Sequence, residues 1–545
     1  MRTILILLTL LSMLQISAQE QNYWVLLSDK SATPYSIDNP AEFLSQRAID
    51  RRDNQEIAID QRDLPVDPAY INQVSDIEGV TIRYSSRWFN AIALRCEPSV
   101  LSEIQALPFV GLIKSAIRLK GETLPIGAQP VDRPNAVIDT RLPINYGLSE
   151  NQVKDLNGHV LHDLGYEGEG MVIAILDSGF DNVDSMETLA HVRDTDRILS
   201  TRDFVEGDLE VYDEHSHGRY VLSCIAGIKE GEAYGTATQA SFHLLRTEDV
   251  GSESTVEEFN WIAAAEYADS VGADVLNTSL GYTNFDDEED SYFYEDMDGN
   301  TAWITQGADV AASRGMLVVN SAGNSATQDF HFIGAPADAD SVLAIGSIDA
   351  DSLHTSFSSF GPSFDGRVKP NVCAQGRLAA GINRDDEVVL INGTSFSSPI
   401  LAGLATCLWQ ASPEATNMQV FEAIEMSAHL YSSPNDSLGY GIPNFGAALE
   451  ILEEFTSGIK ESDENAFVLY PNPSSGNIEL RFSSTFNLTR LSIAVYDIQG
   501  RAVLNEVESI SAQRVRILTT KLSSGVYVVR VNDGERTSEQ IFVRE

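Results

Sequence analysis

The feature that most constrains the fold of this chain is a set of short, unbroken apolar runs in its central part. Met171–Leu176, Leu317–Val319 and Val342–Ile345 contain no polar residue. A strand with one wet face alternates polar and apolar side chains, whereas a strand that is apolar throughout is buried on both faces, as in a parallel sheet covered by helices. Segments with helical spacing stand between these runs. Thr255–Ser270 places Val256, Phe259, Ile262, Ala263 and Tyr267 on one repeat, and Thr301–Arg314 runs into Gly315, a residue type that closes helices. Strand–helix alternation over residues 146–456 predicts an α/β domain built on a doubly wound, mostly parallel sheet.

Both flanks of this region read differently. A length of 545 residues leaves room for about three domains. Residues 19–120 read as a small α+β domain: a strand over Tyr23–Leu27, a helix over Pro40–Arg52, a strand over Thr81–Leu94 turning near Ser85-Ser86, a short helix opened by Pro98, and a strand over Phe109–Ile113. Residues 121–145, with Pro125, Pro130, Pro134 and Pro143, read as a linker, and so does the polar stretch 457–466. Residues 467–545 carry short alternating strands between Gly, Ser, Asn and Pro turns, the pattern of a β-sandwich. At the start, Arg2, the apolar run Ile4–Ile16 and the small residues Ser17-Ala18 form a secretory signal over 1–18. A mainly apolar run of thirteen residues is too short to span a bilayer, and no later segment is long and apolar enough to be an integral membrane span.

The chain carries 36 Lys+Arg against 80 Asp+Glu, a net charge of −44. Such a surface repels phosphate backbones and anionic lipid, which argues against nucleic acid as a partner. Cys96, Cys224, Cys373 and Cys407 are scattered without metal-ligand spacing and are expected as buried thiols.

Four short segments carry the chemistry. Asp177, in Leu176-Asp177-Ser178-Gly179, ends a buried strand, at the sheet edge where α/β sites form. His217, in His215-Ser216-His217-Gly218, opens a helical pattern and can serve as a general base near neutral pH. Ser395, in Gly393-Thr394-Ser395-Phe396-Ser397-Ser398-Pro399, sits at a helix N-terminus, whose free N–H groups favour developing negative charge. Asn324 lies in Ser321-Ala322-Gly323-Asn324. Taken singly, each is also a capping or turn residue.

Together and in this order, the segments resemble the subtilisin-like serine peptidases, the subtilases, whose triad runs Asp…His…Ser. The likeness extends from Tyr146-Gly147, through Asn277–Gly281, Phe357–Gly361 and Lys369–Gly376, to Gly439-Tyr440-Gly441 and Asn444. It implies Ser395 as nucleophile, His217 as general base and acid, Asp177 as the residue that orients the imidazole, and Asn324 as an oxyanion donor. It also implies a substrate pocket bordered by Ser279, Leu280, Gly281, Ala322 and Gly323, with protein or peptide substrates and no cofactor required for the chemistry. Arg219 and Tyr220 stand where the family usually has Thr and His, and Phe396 and Ser397 where it usually has Met and Ala. Asp296, Asp298 and Asn300, around Gly299, have the oxygen-rich look of a calcium loop without its full twelve-residue pattern. A structural calcium ion and a solvated acidic loop are the two readings of that segment.

Residues 19–120 occupy the place of a subtilase propeptide, and Trp88-Phe89-Asn90-Ala91-Ile92 is similar to its inhibitor-like fold. Leu469-Tyr470-Pro471-Asn472-Pro473, Val495–Arg501 and Leu522–Tyr527 resemble the C-terminal sorting domain of the type IX secretion system. That likeness implies the type IX machinery as a partner and a secreted or surface-attached product. Two rivals to a secreted endopeptidase remain: a non-catalytic surface or adhesion protein of the same shape, and an esterase. The Gly393-Thr394-Ser395-Phe396-Ser397 setting of the serine departs from the esterase pattern Gly-x-Ser-x-Gly.

Overall fold

A computed structural model describes residues 20–116 except residue 32, then 129–130, 144–456 and most of 467–544. The expected leader, most of the first linker and all of the second lie outside the described residues. The chain divides into two compact units, Met1–Glu454 and Phe455–Glu545.

At the centre of the first unit is a seven-stranded sheet. Its strands lie in the order Val372–Gln375, Val342–Ile348, Leu317–Ser321, Val275–Thr278, Val172–Asp177, Ser241–Arg246, Ile198–Asp203, and every neighbouring pair is parallel. All six residues of Val172–Asp177 are buried, as a strand covered on both faces requires. From this strand the chain first builds toward Ile198–Asp203, then returns and builds the other way from Val275–Thr278. The order reverses between these two neighbours, and the crevice outside their carboxyl ends is where sites form in such sheets. Asp177 is the last residue of the first strand, and Ser279 directly follows the second.

Helix Thr394–Ala411 packs across four strands of the sheet and against helix His217–Ala226. It is buried from Thr394 to Trp409, in keeping with a helix that is apolar nearly all round. Helix Val256–Val271 ends at Gly272 in the left-handed region, and Trp303–Ser313 ends just before Gly315 at φ +91°, the terminator read from the sequence.

The N-terminal domain is a four-stranded antiparallel sheet in the order Thr81–Ser86, Ala91–Cys96, Gln21–Leu27, Val110–Ala116. The helix expected over 40–52 is two pieces, a turn at Pro40–Glu42 and a helix at Gln46–Asn54. The break falls at Ser45, whose hydroxyl accepts the Ala48 N–H at 3.2 Å and caps the second piece. This sheet lies on helix Val256–Val271. Trp24 stacks on Phe259 with ring centroids 4.0 Å apart, and Trp24, Trp88, Ala91 and Ala93 share one apolar core with Phe259, Trp261 and Ile262. Beside this core, Arg51, Arg52 and Arg87 meet at the fully buried carboxylate of Asp269, Arg52 at 2.8 Å and Arg87 at 2.5 Å. Burial alone would raise the pKa of Asp269; the three guanidiniums outweigh it and hold the group below its ordinary value.

The second unit contains two four-stranded antiparallel sheets, with Phe467, Leu480, Val495, Val529 and Phe542 in a single core, the sandwich expected from the alternating strands. All four cysteines are free and buried. Among the described residues no helix is long and apolar enough to cross a membrane.

Candidate active site

Asp177 is fully buried at the end of its strand and is met by three donors. The Ser178 N–H reaches Oδ1 at 2.7 Å and the Ser178 hydroxyl at 3.1 Å, while His217 Nδ1 lies 2.8 and 3.0 Å from the two carboxylate oxygens. The imidazole arrives there because helix His217–Ala226 starts almost on top of the strand end. A Cβ on Gly218 would lie 2.5 Å from the Gly179 carbonyl oxygen and 3.0 Å from the Asp177 Cβ, so only glycine allows this approach. Burial on its own would lower the pKa of His217. The Asp177 charge and hydrogen bond, with a smaller contribution from Glu248, outweigh it and hold the group above its ordinary value.

Ser395 lies in the first turn of helix Thr394–Ala411. Gly393, at φ +148°, turns the chain from strand Val388–Asn392 into that helix. N–H groups of a first helical turn have no intrahelical acceptor, so the Ser395 amide is available to an incoming oxygen. Four residues on, Pro399 has no N–H to give the Ser395 carbonyl, and the hydroxyl of Ser279 donates to that carbonyl instead, at 2.8 Å. In return the Ser395 hydroxyl donates to the Ser279 carbonyl at 3.3 Å. Among the described residues no hydrogen bond links Ser395 to His217. Such bonds are often long in a free site and tighten when substrate binds. Phe396, the next residue, packs its ring 5.7 Å from the His217 ring.

Asn324 is exposed, and its Oδ1 accepts both the N–H and the hydroxyl of Thr394, each at 3.0 Å. This anchors the side chain by its oxygen and leaves the amide hydrogens as the donors. A pocket of about 120 Å³ opens beside it, lined by Ser279, Leu280, Gly281, Ala322, Gly323, Asn324 and Ser395, with Thr283, Ser325 and Gly334 completing the wall. The fold therefore brings the five residues expected to border a pocket together with the expected nucleophile and oxyanion donor. A larger hollow, about 360 Å³, lies between helix Gln46–Asn54 and Gly170-Met171 and includes none of these groups.

The acidic loop is arranged otherwise. Asp296 accepts the Phe293 N–H at 2.8 Å; Asp298 accepts the N–H groups of Asn300 and Thr301 at 2.8 Å and the Thr301 hydroxyl at 3.0 Å. These carboxylates accept hydrogen bonds from their own turn. Among the described residues no cluster of three or more His, Cys, Asp or Glu is placed to hold a metal.

Arg219 and Tyr220, which stand where Thr and His are usual, are both buried, Arg219 at 2.7 Å from Asp181. Sequence reasoning missed Glu248. It is buried, accepts hydrogen bonds from Tyr282 at 2.5 Å and Thr247 at 2.9 Å, and acts electrostatically on both Asp177 and His217. Burial pushes its carboxyl up to about 7. Its signal was present: it closely follows the buried strand Ser241–Arg246, next to the strand that ends at Asp177.

Comparison with known proteins agrees with this geometry. Residues 22–128 match the peptidase S8 propeptide domain of Bacteroidota, and residues 468–544 match a secretion system C-terminal sorting domain, which marks the protein for export to the cell surface or beyond. Subtilisin NAT of Bacillus subtilis subsp. natto is 30% identical over 311 residues, 56% of this chain and 71% of that protein, and subtilisin E of Bacillus subtilis (strain 168) is equally similar. An alkaline protease of Shouchella clausii is 24% identical over 353 residues, 65% of this chain and 82% of that protein. With residues 168–441 matching the subtilase family model as well, the chain belongs to the subtilase family of serine endopeptidases.

Proposed function

We propose that this protein is a secreted endopeptidase that hydrolyses peptide bonds through an acyl-enzyme, with Asp177, His217 and Ser395 as its triad. The observation that carries this reading is the pairing of buried Asp177 with partly exposed His217 at the switch point of the sheet, with Ser395 on a helix N-terminus beside a pocket. Ser395 Oγ attacks the scissile carbonyl carbon while His217 Nε2 takes its proton. Asp177 holds the Nδ1–H tautomer and stabilises the imidazolium. The negative oxygen is met by the Asn324 amide and the Ser395 N–H. His217 then gives its proton to the leaving amine as the C–N bond breaks, and water repeats the sequence on the acyl group.

In this reading, residues 1–18 direct export and 19–120 are a propeptide removed by a cut within 115–146. Residues 146–456 are the enzyme, and 467–545 engage the type IX machinery. Labelling with a fluorophosphonate serine probe tests it. The processed protein is expected to label and to digest casein, and Ser395→Ala to do neither. A processed protein that takes no label would leave the non-catalytic surface protein standing.

A further inference from the structure

We infer that His215 is a positioning residue for Asp177, acting through the hydroxyl of Ser178; the inference rests on the triad reading above. Ser178 Oγ lies 3.1 Å from Asp177 Oδ1 and 3.0 Å from His215 Nδ1. A carboxylate only accepts, so the single hydroxyl proton of Ser178 points to Asp177. The Ser178 oxygen then has only acceptor capacity to offer His215, which fixes the tautomer: His215 Nδ1 carries a proton and donates it. The resulting chain, His215 Nδ1–H to Ser178 Oγ–H to Asp177 Oδ1, ends on the oxygen that His217 Nδ1 meets at 2.8 Å.

Two features keep this chain in register. Ser178 is buried, and its hydroxyl, a free rotor in other settings, has one orientation that serves both neighbours. A Cβ on Gly179 would fall 2.6 Å from the His215 nitrogen and 2.9 Å from its carbonyl oxygen, so the turn after Asp177 and the backbone of His215 are in direct contact.

The ionisable groups acting on His215 are His217, Asp177, Arg219 and Asp181, while adjacent Glu214 pairs with Arg246 at 3.2 Å. Removing the donor leaves more negative charge on Asp177 to hold the His217 imidazolium. This raises the pKa of His217, so activity is lost at a higher pH on the acid side.

The test uses the processed enzyme with His215→Ala, Ser178→Ala, the double variant and His215→Asn, alongside Ser395→Ala. Loss of one hydrogen bond to a charged group is expected to lower kcat about tenfold with KM unchanged. The acid limb of kcat/KM is expected to move up in pH. Because the two residues act in series, the double variant is expected to match the weaker single variant. Asn places an amide N–H where the imidazole Nδ1 stood, and His215→Asn is expected to recover kcat. Wild-type kcat and pH profile in His215→Ala, additive losses in the double variant, or no recovery with Asn would each overturn the inference. Turnover surviving in Ser395→Ala would bring down the triad reading itself; Ser395→Ala inactive beside a wild-type His215→Ala would bring down this inference alone.

Discussion

Asn324 separates two roles on one side chain. Its oxygen is tied to Thr394 by two hydrogen bonds, which leaves the amide hydrogens as its donors, and the residue lines the pocket together with Ser395. Asn324→Asp keeps the acceptor and loses the donor. We expect it to lower kcat about 10²–10³-fold, the magnitude known for the same kind of donor in subtilisin itself, with little change in KM or Tm. Asn324→Ala is expected to lose kcat similarly and to lower Tm as well, because the Thr394 N–H loses its acceptor. Steady-state kinetics and a melting curve on both variants separate the two effects. The local settings of Asp177, His217 and Ser395 were legible in sequence because their neighbours dictate them: a strand end, a helix start, a glycine turn. The Glu248–Tyr282 and Ser178–His215 contacts were not, because Tyr282 is 34 residues from Glu248 and His215 is 37 residues from Ser178 along the chain. Only the folded sheet brings those partners together.

At the scale of elements, a proline inside a helix ordinarily breaks it. Here Pro399 falls where the carbonyl it leaves without a donor belongs to Ser395, and the segment after strand Val275–Thr278 supplies the replacement through Ser279. The turn that carries Ser395 and the pocket wall are thereby joined by a reciprocal pair of hydrogen bonds. Ser279→Ala leaves a buried carbonyl unsatisfied and is expected to destabilise the domain by about 1–3 kcal/mol in urea unfolding. Adding Pro399→Ala restores a helical N–H to that carbonyl and is expected to recover part of the loss; additive losses would contradict the account. The strands were the most legible elements, since a run such as Val172–Leu176 has no alternative to full burial. Helix limits were less so: Ser45 sets the start of its helix through one side-chain hydrogen bond that no periodicity reveals.

For the whole molecule, the N-terminal domain is attached by more than apolar contact. The guanidiniums of Arg51, Arg52 and Arg87 all converge on one buried carboxylate, that of Asp269 in helix Val256–Val271. Asp269→Ala leaves those cations without their central partner and is expected to destabilise the unprocessed Ser395→Ala precursor by about 3–5 kcal/mol in chemical denaturation. A folded-state pKa held below the unfolded value of about 3.9 means the Asp269 contribution is present above that value and is lost only as pH falls through the lower one. Mild acid therefore leaves this contact in place. The cysteines bear on the molecule as a whole in another way. Burial pushes the thiol of Cys96 up to about 11 and that of Cys224 up to about 12, and raises those of Cys373 and Cys407 as well. The thiolate is the form that oxidises and exchanges, so these sulfurs stay inert inside the packed domain. A chain built this way carries one fold across a change of redox compartment, with nothing to reduce before export and nothing to re-pair after it.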